Sequence, residues 1–344
     1  MTLISYEEYP QEVAEDIVRL RRRLDAPDPP RLPVPAKVTD QNLLIATWNI
    51  QSFGRIFESF EENPESPKRN LRGLAYIAEI IRRFDIIAIQ ELKRDTTAIR
   101  LLLERFLGPD WDVLFSDVTA GSPGNRERLA YIWDRRRAEA TGVAGELVLP
   151  AAAGEPQEQF DRTPYMVGFR SCGERFVLLT AHIRFQQPSA RLQELQAFAE
   201  FTASEIRDRS SSPTSEERNL IVLGDFNIDA RGDNPLFQAF VQHGFNVPPA
   251  LRGLKTTSGR EDKFYDQIAW FMGALDLNFS GNAGVVDFDG AVYRDLRNRR
   301  SLPSRLSDHY PLWAEFIVDR STEQIASVLD LPSSVPDPFA AVPD

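Results

Sequence analysis

Six stretches of this chain are apolar almost throughout, and each meets a polar or ionisable residue abruptly at one end. "LLIATWN" stops at Asn49, "DIIAIQE" at Glu91, "RFVLLTAH" at His182 and "LIVLGDFN" at Asn227, while "FYDQIAW" holds Asp266. "SRLSDHYPLWAEFIV" reverses the order, with Asp308 and His309 just ahead of the apolar run. Runs of this kind suit strands covered on both faces, and strands of that sort occur where helices or a second sheet lie over a sheet. Between them, "LRGLAYIAEIIRRF" (71–84) and "ARLQELQAFAEFTASEIRDR" (190–209) have the apolar spacing of amphipathic helices. No internal repeat of fixed period interrupts the pattern. A layered α/β protein is expected, with polar strand ends gathered at one edge.

The outer segments read differently. After Pro10, Val13, Ile17, Leu20 and Leu24 recur at helical spacing, with acids early and Arg21 to Arg23 late. "DAPDPPRLPVP" then predicts an extended connector. Residues 1–40 are therefore expected to be an N-terminal helix and Pro-rich connector appended to a domain at 41–320. Residues 321–344 are expected to be a short helix and a disordered tail, and 210–218 an exposed loop. No apolar run approaches the ~20 residues that a membrane-spanning helix needs. "MTLISYEEYP" has neither a basic n-region nor an apolar h-region, and Cys172 is the lone cysteine. A cytoplasmic location is expected, with no disulfide and no cysteine-built metal site. The formal net charge of −11 argues against a protein that coats nucleic acid by bulk charge. It leaves room for a local basic patch or a bound cation.

A single Asp or Asn at a strand end is most often a turn residue. Six polar ends in one chain instead suggest a shared site. Asn49, Glu91, Asp225, Asn227 and Asp308 form an oxygen-rich, thiolate-free set, which prefers Mg²⁺, Mn²⁺ or Ca²⁺ to zinc. His182 and His309 stand among these residues and suit a pair of proton-transfer groups. His243, at a helix end before Gly244, is expected to be structural.

Together, "TWN", "IQE", "GDFN" and "SDH", with "YDQI" before the last, resemble the endonuclease/exonuclease/phosphatase family, and its deoxyribonuclease I branch most closely. The likeness spans about residues 43–318. It implies a four-layer α/β/β/α sandwich of two mixed, mostly antiparallel sheets. It further implies that Glu91 binds a divalent metal, Mg²⁺ or Mn²⁺, with Asn49 beside it and Asp308 completing the acidic cluster. His309 would be held by Asp266 and His182 by Glu127, each carboxylate raising its partner's pKa. Asp225 and Asn227 would orient water and phosphate, and Arg162 in "DRTPYMVGF" would contact phosphate.

The chain departs from that branch in several places. Gln51 and Asn125 stand where the branch inserts an arginine and a tyrosine into the DNA minor groove. Lys255, Gly259 and Glu261 replace most oxygen donors of its calcium loop, so no calcium site is expected there. An extra acidic segment, "RIFESFEENPESPKRN" (55–70), is expected to line or cover the cleft. Basic rim candidates are Lys93, Arg94, Arg135 to Arg137, and the cluster Arg294, Arg297, Arg299, Arg300 and Arg305. The expected activity is a metal-dependent phosphodiesterase, a DNA endonuclease with little sequence preference; oligomeric state is open, with a monomer favoured. One rival is an enzyme of the same fold acting on a phospholipid, as sphingomyelinases do, or on an inositol phosphate. Inositol phosphatases usually carry "WCDR" where this chain has "YDQI". Another rival is a silent binding scaffold, which would need none of His182, Glu91, Asp225, Asp266 and His309.

Overall fold

In the computed structural model the described residues are 2–119, 126–150, 159–204, 219–258, 262–271, 275, 277–296 and 301–331. Asn125, the far end of the 190–209 stretch, the 210–218 loop, Gly259, Glu261, Arg297, Arg299, Arg300 and the tail from 332 lie outside them.

The apolar runs become the inner strands. In chain order the strands are β1 (Asn42–Phe53), β2 (Ile86–Lys93), β3 (Trp111–Phe115), β4 (Glu127–Asp134), β5 (Glu139–Glu146), β6 (Tyr165–Ser171), β7 (Glu174–His182), β8 (Leu220–Asp225), β9 (Phe245–Asn246), β10 (Asp266–Phe271), β11 (Asn278–Val285) and β12 (Leu312–Ile317). They form two six-stranded sheets, ordered β11-β12-β1-β2-β4-β3 and β5-β6-β7-β8-β10-β9. Each sheet has a single parallel pair at its centre, β1 with β2 and β7 with β8, and every other pairing among the described residues is antiparallel. Parallel neighbours need a crossover. Helix α2 (Leu71–Ile81) supplies it in the first sheet, and a longer helix, Pro188–Phe201, in the second.

Helix α1 (Gln11–Asp25) puts Val13, Ile17, Leu20 and Leu24 into the same core as the sheets. Its Asp16, 1% exposed, accepts bonds from Arg72 Nη2 (2.8 Å), the Tyr76 hydroxyl (2.7 Å) and the Tyr293 amide (2.8 Å). A buried carboxylate is stable only when fully bonded in this way. The segment that reads as an appendage in sequence is thus anchored to α2.

Helix α3 (Thr97–Leu101) runs on into a wider-turned helix, Leu102–Leu107, on the first sheet's side. On the second sheet's side, α4 (Pro188–Phe201) and α5 (Pro235–Val241) enclose a file of rings. Phe198 meets Phe226 at 5.4 Å, Phe226 meets Phe240 at 4.6 Å, and Phe240 stacks on Phe245 at 5.2 Å. A fully buried ring of this size contributes on the order of 1.5–3 kcal/mol. The chain closes with α6 (Leu302–Arg305) and α7 (Ser321–Val328). Buried polar struts join the facing sheets; in two of them Gln90 Nε2 donates to Thr180 Oγ1 at 3.0 Å, and the Tyr131 hydroxyl to the Tyr165 carbonyl at 3.1 Å. Among the described residues, no helix is long and apolar enough to cross a membrane.

Candidate active site

Three strand ends of the second sheet lie side by side. His182 pairs in register with Asp225, and Asp225 with Asp266. The close approach depends on Gly224, whose φ is +146°; a Cβ there would lie 2.1 Å from the Ala181 carbonyl oxygen on β7. β8 ends at Asp225, and Phe226 turns into the α4 layer. Asn227 then adopts φ +50°. Its amide N–H bonds Asp225 Oδ1 at 2.9 Å, and its Nδ2 donates to the Ile183 carbonyl at 2.7 Å. A left-handed backbone, rather than strand alternation, brings Asn227 back beside Asp225.

The first sheet contributes the opposite wall. Asn49 Nδ2 donates to Asp225 Oδ2 at 2.9 Å and to Glu91 Oε1 at 3.2 Å, while Glu91 Oε2 accepts from the Ser52 amide at 2.9 Å. Glu91 itself has φ +63°. Asp308 Oδ2 accepts from Gln51 Nε2 at 3.2 Å.

The two catalytic-candidate histidines sit in opposite electrostatic surroundings. His309 Nδ1 lies 2.8 Å from Asp266 Oδ2, and its Nε2 is 3.8 Å from Asp225 Oδ2. Burial alone would depress this imidazole, but the charges of Asp266 and Asp225 raise its pKa to about 10. The Ser307 hydroxyl receives the His309 amide at 3.0 Å, and the His309 carbonyl receives Trp48 Nε1 at 2.8 Å, which fixes the loop. His182 Nε2 is 3.5 Å from Asp225 Oδ2, and its Nδ1 is 3.5 Å from Glu127 Oε2. That Nδ1 is buried without a hydrogen-bond partner among the described residues.

The expected support of His182 by Glu127 is corrected here. Glu127 accepts from Lys93 Nζ at 2.6 Å and from Arg162 Nε at 2.5 Å. A carboxylate facing two cations has little charge left for an imidazole, so the expected rise in pKa is reversed as well. Burial, with the Arg162 charge adding to it, pushes His182 well below its ordinary value. Asp225 moves up, chiefly through burial, with His309 opposing and Asp266 reinforcing.

These groups face a cleft of about 680 Å³, lined by Asn49, Glu91, Arg162, His182, Asp225, Asn227, Asp308 and His309. Glu127 and Asp266 stand behind the histidines. His243 lies at the end of α5, outside this lining. Sequence reasoning missed the cleft's aromatic side: Phe185, 59% exposed, meets Tyr265 edge-on at 6.1 Å and carries the Arg191 guanidinium 5.6 Å from its ring centre. An aromatic three residues after His182 and another just before Asp266 were the available signals. Arg135 to Arg137 belong elsewhere. They follow the end of β4 remote from Glu127, and Arg136 and Arg137 are bound to Asp134 and Asp85 at 2.8 and 2.9 Å. Arg305 is buried and paired with Glu62 at 3.2 Å.

Among the described residues, no three His, Cys, Asp or Glu side chains form a group that could hold an ion. The donors present fit a different arrangement. Asn49 gives its Nδ2 to Asp225 and Glu91, and its Oδ1 is left buried with no partner among the described residues, beside the Glu91 carboxylate. A carboxamide oxygen with one or two carboxylates suits a hard cation that keeps most of its waters, as Mg²⁺ does.

Residues 46–309 match the endonuclease/exonuclease/phosphatase family. The chain is 24% identical to bovine deoxyribonuclease-1 over 294 residues, covering 79% of this chain and 91% of that protein. It is 23% identical to rat deoxyribonuclease gamma over 194 residues, 54% of this chain and little more than half, 56%, of that relative. In fold it resembles a mannosyl-6-phosphatase from Bacteroides thetaiotaomicron (TM-score 0.56, 18% identity, 80% and 99% of the two chains). It likewise resembles the catalytic domain of human nocturnin (TM-score 0.52, 16% identity, 82% and 96%). The sandwich, the polar strand ends and the match across the domain lead to one assignment: the chain belongs to the endonuclease/exonuclease/phosphatase family, whose members hydrolyse phosphoester bonds.

Proposed function

We propose that the protein is a divalent-metal-dependent phosphodiesterase acting on nucleic acid, with DNA as the favoured substrate and little sequence preference. The observation that carries the reading is the meeting of His182, Asp225 and Asp266 from one sheet with Asn49 and Glu91 from the other, and with His309 on the loop that leads into β12. The two curated relatives are deoxyribonucleases by name, which favours DNA.

Glu91, Asn49 and Asp308 would hold the cation, and when bound there it supplies positive charge against the phosphate oxygens. Arg162 would meet the phosphate from the other side. Asp225, hydrogen-bonded to Asn49, would orient the attacking water. His182 sits beside a carboxylate already neutralised by Lys93 and Arg162, and in its neutral form it accepts the water's proton. His309, between Asp266 and Asp225, is held positive and donates a proton to the departing sugar oxygen. The water oxygen forms a new bond to phosphorus as the phosphorus–sugar oxygen bond breaks, so one proton enters at His182 and one leaves at His309.

The test is purified protein with supercoiled plasmid, single-stranded DNA, RNA and sphingomyelin, each with Mg²⁺, Mn²⁺ or EDTA, beside the Glu91→Gln variant. Metal-dependent nicking that Glu91→Gln loses while its thermal unfolding stays unchanged is the expected result. Clear lipid hydrolysis without nicking would replace the substrate, and nicking undiminished by EDTA would end the metal reading.

A further inference from the structure

Beside the cleft lies a second cavity, of about 470 Å³, whose lining includes six cations: Arg55, Lys68, Arg69, Lys93, Arg94 and Arg126. Asp95 is the one carboxylate among the described residues of that lining, in a chain whose net charge is −11; of the six, Lys93 is paired with Glu127 at 2.6 Å. Three of the cations come from the acidic insertion at 55–70, which points its basic ends inward. Arg69 is 2% exposed and has no carboxylate partner among the described residues; it donates to the carbonyls of Gln51 (2.7 Å), Ser52 (3.1 Å) and Leu306 (2.9 Å), and its Nε is left unbonded. A buried, unneutralised guanidinium is costly unless an anion accompanies it.

The two cavities share a wall. Ser52 and Gln51, both lining the second cavity, give their amide and side-chain N–H to Glu91 and Asp308 in the first. Gly54 lets the chain pass within van der Waals contact of Lys93, since a Cβ there would be 2.8 Å from the Lys93 Cβ. A concentration of positive charge on the far side of that wall suits a polynucleotide strand, which carries further phosphates beside the one that reacts and whose affinity for cations is largely sequence-independent.

We propose that this cavity is a phosphate subsite which seats a non-scissile phosphate of a nucleic acid strand, so that the insertion selects polyanionic substrates over single phosphoesters. The inference rests on the phosphodiesterase reading for its substrate, but the subsite can be tested apart from it.

The experiment compares the unsubstituted enzyme with the triple variant Arg55→Ala, Lys68→Ala and Arg126→Ala, using Mn²⁺ and two substrates. Bis(p-nitrophenyl) phosphate has one phosphate, and a single-stranded thymidine oligonucleotide has many. In the variant the oligonucleotide KM should rise roughly tenfold, and the salt dependence should become shallower by ~0.7 in log–log slope for each phosphate no longer neutralised. Hydrolysis of the aryl ester should be impaired far less. Equal impairment on both substrates, or an unchanged KM and slope on the oligonucleotide, would overturn the subsite. If neither substrate is hydrolysed, the phosphodiesterase reading fails by itself, and fluorescence anisotropy of a labelled oligonucleotide in EDTA then reads the subsite. Salt-sensitive binding weakened in the variant supports it, and identical binding overturns it.

Discussion

Asn49 and Asp225 meet across the two sheets, the carboxamide of one donating to the carboxylate of the other at 2.9 Å. The bond works in two directions. It lowers the pKa of a carboxyl that burial raises, and it turns Asn49 Oδ1 away as a free acceptor. Asn49→Ala removes both effects. Asp225 then titrates at higher pH, so the acidic limb of kcat/KM should move upward, and Mg²⁺ affinity should fall. A pH–rate profile and calorimetric Mg²⁺ titration measure the two; an unmoved limb with unchanged affinity would remove Asn49 from the site.

The three histidines should differ sharply. His182→Ala and His309→Ala are each expected to lower turnover by ~10² or more, as loss of a positioned proton-transfer group does. His243→Ala, at the end of α5, should leave turnover near that of the unsubstituted protein. Steady-state kinetics on one substrate decide it, and a His243 variant as impaired as the others would displace the site.

Gly224→Ala should be among the most damaging single-methyl changes in the chain. The new Cβ would lie 2.1 Å from a backbone oxygen of β7, at a φ of +146° that L-residues rarely adopt. Parting β7 from β8 costs several hydrogen bonds, so a loss of about 3 kcal/mol or more is expected. Thermal or urea unfolding measures it; a stability change below about 1 kcal/mol would mean the strands tolerate separation.

Stability should also respond to acid through Asp134. Burial works against its ionised form, but Arg136 and Lys37, at 2.8 and 2.9 Å, hold its pKa down to about 2. A carboxyl lowered in the folded state contributes stability above its ordinary value near 3.8 and loses it as pH falls through about 2. Asp134→Asn should therefore lower Tm at neutral pH and flatten the Tm profile between those two values. An identical acid profile would contradict the ion-pair account.

The inner strands were legible because burial on both faces leaves continuous apolar runs, as in "LIVLGD" and "IIAIQE". The outer strands were not. β5 and β11 are edge strands with many exposed positions, and each slips register around a glycine, Gly142 or Gly281, at positive φ. Such bulges erase the alternation that marks a strand. Within the site, strand ends located His182, Asp225, Asp266 and Glu91 from sequence alone. Partnerships were harder: nothing in "RERLAYIW" tells whether Glu127 will serve an imidazole or two cations. Arg69 was hidden for a related reason. Its segment is acidic in composition, and composition gives a segment's charge without the direction in which each side chain points.

The cleft's defining contacts join residues far apart in the chain, 176 positions for Asn49 with Asp225 and 261 for Trp48 with His309. Neither sheet alone contains the full set of groups to which the proposed reaction assigns a role. Contacts of such long separation form only after their loop-closure entropy has been met, which makes them late and slow in folding. Catalysis is therefore an all-or-none property of the docked sandwich. A partly folded or truncated chain holding one sheet would cleave nothing, and recovered activity after denaturation would count the molecules in which both sheets have met.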